Sequence, residues 1–545
     1  MTHRARFENS AGSLFTDGLR GILAAHPDAT WHDAGFVARR TPRTSGVAVV
    51  SGGGSGHEPL HIGLVGAGML DAACPGLIFT SPNAVQVAAA TRAVDTGAGV
   101  VHVVKNYTGD VMNFAVARRL VGAPDGDGPA VATEFVLVDD DVATEDTAGP
   151  GRRGTAATIV VEKVCGAAAD RGSSLAEVAA VGRRTAARAR SMAVALSACT
   201  VPGADGPSFD LPAGQLAFGV GIHGERARDE RPAESAEEIV TELLARILPG
   251  TGLGSGDRAL VVVNNLGAVT DLETGVLFAE ATKQLGERGI EVTRSLVGRF
   301  VTALDMAGAS LTVVPLDDEL IGLWDAPTTA PGWPNAAAAA PSSVDPLATA
   351  RPDDSADRGE PNVWLSDFVG RVQRSVDELT DLDRKAGDGD FGTNMSAALG
   401  HFPLPLRGPD DSALGALATS FLVRAGGTSG AVFGTFFTEL GRALQADGAG
   451  FAAGVRAGLD AVVELGGARV GDKTVVDALA PAADVLDAGG TLEEAAAAAA
   501  QGVAATADST ASRGRASYLG DAVIGVPDPG ALVVSWLFEA AARSR

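Results

Sequence analysis

The chain has 545 residues, 46% of them hydrophobic and 20% charged, which are values of a globular protein with ample core rather than of a disordered one. Its 43 basic and 67 acidic residues leave a formal net charge of −24, which argues against a nucleic-acid partner. Cys74, Cys165 and Cys199 lie far apart with no CxxC, so neither a disulfide framework nor a zinc knuckle is expected, and a reducing cytoplasmic setting fits.

The opening residues Met1-Thr-His-Arg-Ala-Arg-Phe-Glu8 hold no apolar run, so no signal peptide is expected. No stretch of 18 uncharged apolar residues occurs, so no membrane partner is expected either. Length alone allows three or four domains. Residues 11–40 read as an amphipathic helix and a connector. Gly46–Val50 is a buried-strand run that empties into the Gly-rich stretch Ser51-Gly-Gly-Gly-Ser-Gly-His-Glu-Pro59. Strand, Gly-rich turn and helix is where α/β proteins hold polar or anionic ligands.

Neither a Walker A Gly-Lys-Ser/Thr nor a spaced GxGxxG occurs in that stretch. His57-Glu-Pro-Leu-His61 matches H-E-x-x-H literally. Pro59 between the two imidazoles would break the helix a zincin needs, and no third ligand follows at the usual spacing. His57 is read instead as a polar group aimed at a ligand that approaches the backbone, or, more plainly, as a turn residue at a helix start.

Strand-like runs follow at Gly76–Thr80 and Val100–Tyr107. The second places Lys105 and Asp110 at a strand's carboxyl end, where doubly wound sheets put their chemistry, although a surface ion pair is the commoner fate of such residues. The alternation continues through Phe135–Val138, Gly154–Gly166 and an Ala/Arg-rich helix near 174–198. A second lobe then opens, with the boundary near 185–200, and sets His223 between Gly219-Val-Gly-Ile and Gly224-Glu225. Gly219–Gly224 and Gly387–Gly392 match GxGxxG literally. The first is not followed by a helix start and the second follows a helix, so neither carries a dinucleotide assignment. Strand candidates at 259–265, 291–293, 298–304 and 311–314 complete an α/β domain over residues 1–325.

Residues 326–361 hold seven prolines and an Ala run and read as a semi-extended linker. From 362 to 545 strand signals nearly vanish and helix periodicity takes over, which predicts an all-α bundle. Its Gly-rich connectors lie at Arg424–Gly430, Gly466–Thr474, and from Gly514-Arg-Ala-Ser-Tyr518 to Asp528-Pro-Gly530. Asn362–Leu382 reads as one helix that ends in Asp381 and Asp383; Asp388 and Asp390 follow in a Gly-rich turn. Four crowded carboxylates repel one another unless a hard cation neutralises them, and Mg²⁺ shared with phosphates is the commonest answer. An EF-hand is excluded by counting, since no Glu falls at the twelfth position. A solvated acidic turn capping the next helix through Asp390 or Thr393 is the alternative.

Taken in order, Ser51–Pro59, Lys105–Asp110, Gly219–Gly224, Asp383 to Asp390, Gly427–Gly430, Gly471–Thr474 and Asp528–Gly530 resemble the fused ATP-dependent dihydroxyacetone kinase family over nearly the whole chain. The resemblance implies a two-lobed α/β ketose domain, a barrel-like all-α nucleotide domain, ATP and two Mg²⁺ ions as cofactors, and a homodimer. It implies that His223 binds the ketone carbonyl covalently as a hemiaminal, with His57 and Asp110 acting on the terminal hydroxyl. Gly54, Ser55, Gly56, His57, Lys105 and Asp110 would line the sugar pocket, and Asp383, Asp388 and Asp390 would hold metal. Asp390, Phe391, Gly392, Thr393, Thr428, Ser429, Gly466, Thr474, Val475, Asp528, Pro529 and Gly530 would border the nucleotide.

The chain departs from the family where Arg6-Phe-Glu-Asn-Ser10 replaces an Asn-Asp-Pro opening and where Arg226-Ala-Arg-Asp-Glu-Arg231 follows Glu225. The second departure bears on which ketose fits. Dihydroxyacetone leads, with D- or L-erythrulose as the alternative. Cyclisation of FAD with release of AMP, and service as a regulatory binding subunit, are the other readings.

Overall fold

The computed structural model describes residues 6–10, 12–122, 129–145, 151–227, 229–334, 359–386, 389–445, 450–512 and 523–545. The chain forms two compact units, Met1–Pro346 and Leu347–Arg545. Among the described residues all strands fall in the first and the second is helical, as the sequence predicts.

The first unit contains two six-stranded sheets. Strands β1 (Ala29–His32), β2 (Phe36–Arg39), β3 (Ala48–Ser55), β4 (Ala72–Ile78), β5 (Val100–Lys105) and β6 (Thr133–Val138) form one, in the order β1-β2-β4-β3-β5-β6. Its β4-β3-β5-β6 core is parallel. Buried on both faces, β3 and β5 read as continuous rather than alternating apolar runs. Strands β7 (Arg190–Ala195), β8 (Gln215–Phe218), β9 (Asp229–Pro232), β10 (Arg258–Asn265), β11 (Glu291–Gly298) and β12 (Gly308–Leu316) form the second, in the order β11-β10-β12-β7-β8-β9. Only β10 and β11 run parallel there.

Helix Ala157–Asp170 joins the lobes. It is buried along almost its whole length and belongs to a core that takes residues from both sheets. Helices starting at Leu175, Ala236 and Asp271 open with capping boxes, Ser174/Glu177, Ser235/Glu238 and Thr270/Glu273, in which each side chain satisfies a backbone N–H of the other residue.

Several expectations need correction. The Gly-rich stretch is strand rather than turn, because β3 runs through Gly52–Gly54 to Ser55. Residues 11–40 contain a β1–β2 hairpin after helix Leu14–Ala24. The helix placed near 174–198 ends at Arg188, and Arg190–Ala195 is the central strand β7. Beyond Gly298, where β11 ends, residues 299–304 are not a strand. The first part of the expected linker, 326–334, packs on the first unit: Trp333 is buried against Trp324, with ring centroids 4.8 Å apart, and Thr329 N–H donates to Ala67 O. Residues 335–358 lie outside the described residues.

The second unit packs helices between Val363 and Ser544 around an aromatic core of Phe368, Phe421, Phe433, Phe436 and Phe437. The expected Asn362–Leu382 helix is two helices, Val363–Arg374 and Val376–Ala386, which meet at Ser375. Among the described residues no helix is long and apolar enough to cross a membrane.

Candidate active site

The first unit gathers its titratable groups where β3 and β5 end. His57 follows β3, Lys105 closes β5, and Asp110 stands in the first turn of helix Thr108–Gly122, whose N-terminal dipole favours a carboxylate. All three are buried. From the other lobe, the turn after β8 delivers His223. The His57 and His223 rings meet edge to face with centroids 4.7 Å apart, and Phe79 stacks on His57 at 5.1 Å. Tyr107 closes on His223 at 4.4 Å.

Hydrogen bonding fixes the state of His57. Its Nδ1 lies 2.7 Å from the carbonyl oxygen of Thr302, which can only accept, so Nδ1 carries the proton and Nε2 the lone pair. Nε2 is buried and has no partner among the described residues; nor do Asp110 Oδ1 and Tyr107 Oη. Buried polar atoms rarely go unpaired in folded proteins, so three gathered around His57, His223 and Lys105 mark a place where a ligand completes the pairing. Burial, then the charges of His223 and Lys105, hold His57 well below its ordinary value, so the ring is a neutral base.

His223 is partly exposed. Its Nδ1 lies 3.5 Å from Glu225 Oε1, and its backbone N–H donates to Glu225 Oε2 at 2.8 Å. Burial pushes Glu225 up, but His223 and Arg153 outweigh it and bring the carboxyl down to about 2, so a carboxylate faces the ring.

Of the other residues expected to line the pocket, Gly54 and Ser55 pair with β4, and Ser55 Oγ donates to Gly76 O at 2.8 Å. Gly56 N–H donates to the Glu58 carboxylate. The glycines make room for the protein's own atoms. A Cβ on Gly53 would stand 2.1 Å from Lys105 Nζ, and one on Gly54 would stand 2.7 Å from Thr80 N.

Sequence reasoning missed Glu162, Ser51, Thr302 and Glu225, and weighed His61 only as a zinc ligand. Lys105 Nζ lies 2.8 Å from His61 Nε2, and His61 Nδ1 lies 2.6 Å from Glu162 Oε1. A Glu inside an otherwise apolar helix, Thr158-Ile-Val-Val-Glu162, was the available signal.

In the second unit, Asp383, Phe391, Val475 and Asp528–Gly530 converge. Asp383 Oδ2 accepts the Phe391 N–H at 3.0 Å, and a Cβ on Gly530 would touch Val475 Cγ1 and Phe391. Burial, with the charges of Asp477 and Asp383 beyond the pull of Ala531 N–H and Lys473, pushes Asp528 up to about 7. Asp390 and Thr393 begin helix Phe391–Leu399. Gly392 lets that helix cross Val376–Ala386, since its Cβ would lie 2.1 Å from Thr380 Oγ1. Thr474 is spent locally: its N–H donates to Asp477 and its Oγ1 accepts Val476 N–H.

Thr428, Ser429 and Gly466 stand at helix ends outside this buried cluster, Thr428 and Gly466 exposed and Ser429 half-buried. Asp388 and residues 514–518 lie outside the described residues. Among the described residues no three carboxylates, imidazoles or thiols form a ready cage for an ion. The donors present, Asp383 in helix Val376–Ala386 and Asp390 before helix Phe391–Leu399, nevertheless suit Mg²⁺, which is bound through one or two carboxylates plus substrate phosphates.

Lys473 holds this end together. Its buried ammonium shares three N–H bonds among the carbonyls of Thr506, Ser509, Val523 and Val526.

Residues 20–332 match the Dak1 domain and residues 385–543 the DAK2 domain. Human triokinase/FMN cyclase is 36% identical over 570 residues, covering 98% of both chains. L-erythrulose 1-kinase of Mycolicibacterium smegmatis is 38% identical over 564 residues, again with 98% of each covered. The chain belongs to the dihydroxyacetone kinase family. A solved member, the dihydroxyacetone kinase of C. freundii in complex with AMP-PNP and Mg²⁺, is 31% identical and superposes over 100% of both chains with a TM-score of 0.64. Membership makes this chain a kinase, with the family's two domains fused in one polypeptide.

Proposed function

We propose that this dihydroxyacetone kinase homologue transfers the terminal phosphoryl group of ATP to a terminal hydroxyl of a short ketose, dihydroxyacetone before D- or L-erythrulose. The observation that carries the reading is the bare, buried Nε2 of His57 beside His223. The lone pair of His223 Nε2 adds to an unhindered carbonyl, forming a C–N bond while the C=O electron pair moves to oxygen; the oxygen takes a proton as Nδ1, which faces Glu225, gives one up, so the hemiaminal is neutral. A polyol without a carbonyl cannot be held this way, so selection does not depend on hydroxyl contacts that discriminate poorly. Glu225 orients the ring. His57 Nε2 accepts the proton of the terminal hydroxyl, and Asp110 aligns that hydroxyl.

Asp383 and Asp390, with Asp388, would hold Mg²⁺, which when bound offsets the charge of the triphosphate. The family likeness supports a homodimer as part of this reading, and three free, buried cysteines support a reducing, cytoplasmic setting.

Purified protein with ATP and Mg²⁺ is to be tested on dihydroxyacetone, D-erythrulose, L-erythrulose and glyceraldehyde. ADP release with dihydroxyacetone or an erythrulose is expected, and no turnover of any short ketose overturns the reading. The name FMN cyclase on one relative favours a second activity at the nucleotide domain. AMP release from FAD tests it.

A further inference from the structure

With Glu162 as a carboxylate, the hydrogen bonds of the cluster behind the ketose pocket fix one proton arrangement. Ser51 Oγ donates to Val103 O at 2.8 Å, so toward His61 Nδ1, 3.0 Å away, it presents a lone pair. Nδ1 therefore bears hydrogen, and it also donates to Glu162 Oε1. Nε2 is then the acceptor, and Lys105 donates one N–H to it. Lys105 is fully buried, and His61 is its one hydrogen-bond acceptor among the described residues, which leaves two ammonium N–H bonds unspent.

We propose that Glu162 and His61 are positioning residues that keep Lys105 charged and aimed, so that its two unspent N–H bonds meet an oxygen of the bound ketose. This rests on the reading that the pocket takes a ketose. The imidazole's tautomer, set from behind by Ser51 and Glu162, turns a lysine that burial would neutralise into a fixed cationic donor. The charged and titratable groups facing Lys105 are Asp110 on helix Thr108–Gly122, Glu162 on helix Ala157–Asp170, and His57 and His61 after β3. Burial lowers Lys105, while Asp110 and Glu162 hold it up. Burial raises Glu162, against Ser51 and Lys105.

The test has two arms. In full-length, ligand-free protein labelled with ¹⁵N-histidine, His61 is expected as the Nδ1–H tautomer at neutral pH; an Nε2–H signal overturns the proposal. In the kinase assay, Glu162→Gln is expected to raise ketose KM about tenfold with kcat within about twofold, and to move the alkaline limb of kcat/KM to lower pH. Added to Lys105→Met, it should cost nothing further, because both act through one ammonium. Additive losses, or an unmoved pH limb, overturn the proposal, and Ser51→Ala serves if Glu162→Gln does not fold. Should the wild type phosphorylate no ketose, the functional reading falls, while the His61 tautomer still decides this one.

Discussion

His57 donates from Nδ1 to the carbonyl oxygen of Thr302, 245 residues away in the chain, at 2.7 Å. The bond ties the loop after β3 to the segment after β11 and leaves Nε2 as the only nitrogen able to take a proton. His57→Ala is therefore expected to lower kcat by about 10²–10⁴-fold with a far smaller change in KM. Steady-state kinetics with saturating ATP check this, and an unchanged kcat would remove His57 from the chemistry.

His223 is expected to act on affinity and rate together. His223→Ala should lower kcat/KM for dihydroxyacetone by at least tenfold, and native mass spectrometry should show a ketose adduct on the wild type and none on the variant. An unchanged kcat/KM would rule out covalent holding.

Gly53 and Gly54 separate two kinds of crowding. A Cβ at Gly53 strikes the end of Lys105 and one at Gly54 strikes backbone. Gly53→Ala is expected to raise ketose KM at little cost in Tm, while Gly54→Ala lowers Tm. Equal Tm losses in the two variants would contradict the geometry.

Acid stability follows from imidazoles that are buried neutral. His102 is fully buried beside Thr91, and burial with the nearby Arg118 brings it down to about 3. His57 is held low by burial first. Below pH 6.5 the unfolded chain binds protons that the folded chain refuses, so stability falls as pH drops from 6.5 toward 3. Urea midpoints at pH 7 and 5 should differ less for His102→Gln than for the wild type.

In the second unit, Lys473→Met would take the ammonium from four inward carbonyls, of which Thr506 O and Val523 O keep a donor in Ser509 and Val526, while Ser509 O and Val526 O lose theirs. Each unpaired buried group costs about 1–3 kcal/mol. Calorimetry should show the helical unit melting earlier, and Lys473→Arg should not restore it, because a planar fork does not fit a cage built around a point charge.

Much of this was legible in the residues themselves. Continuous apolar runs announced β3, β5 and β10, and the acidic turn and His223 stood out by type and spacing. What escaped depended on tertiary context. Arg190-Ser-Met-Ala-Val-Ala195 reads as the end of an Ala-rich helix and becomes a strand because β12 and β8 flank it. The hairpin strands β1 and β2 have four residues each, too few to show a period. Gly52–Gly54 looked like room for a ligand. The room at Gly53 is taken by Lys105 and that at Gly54 by the Phe79–Thr80 backbone, both distant in sequence. Glu162 and His61 become partners only once helix Ala157–Asp170 packs under β3.

The oxygen cage around Lys473 is the coordination shell an alkali ion would receive. A free potassium ion in that position would exchange with the medium and leave when diluted. Carried on a side chain, the positive charge cannot diffuse away, so this corner of the helical unit should keep its shape whatever monovalent salt surrounds it.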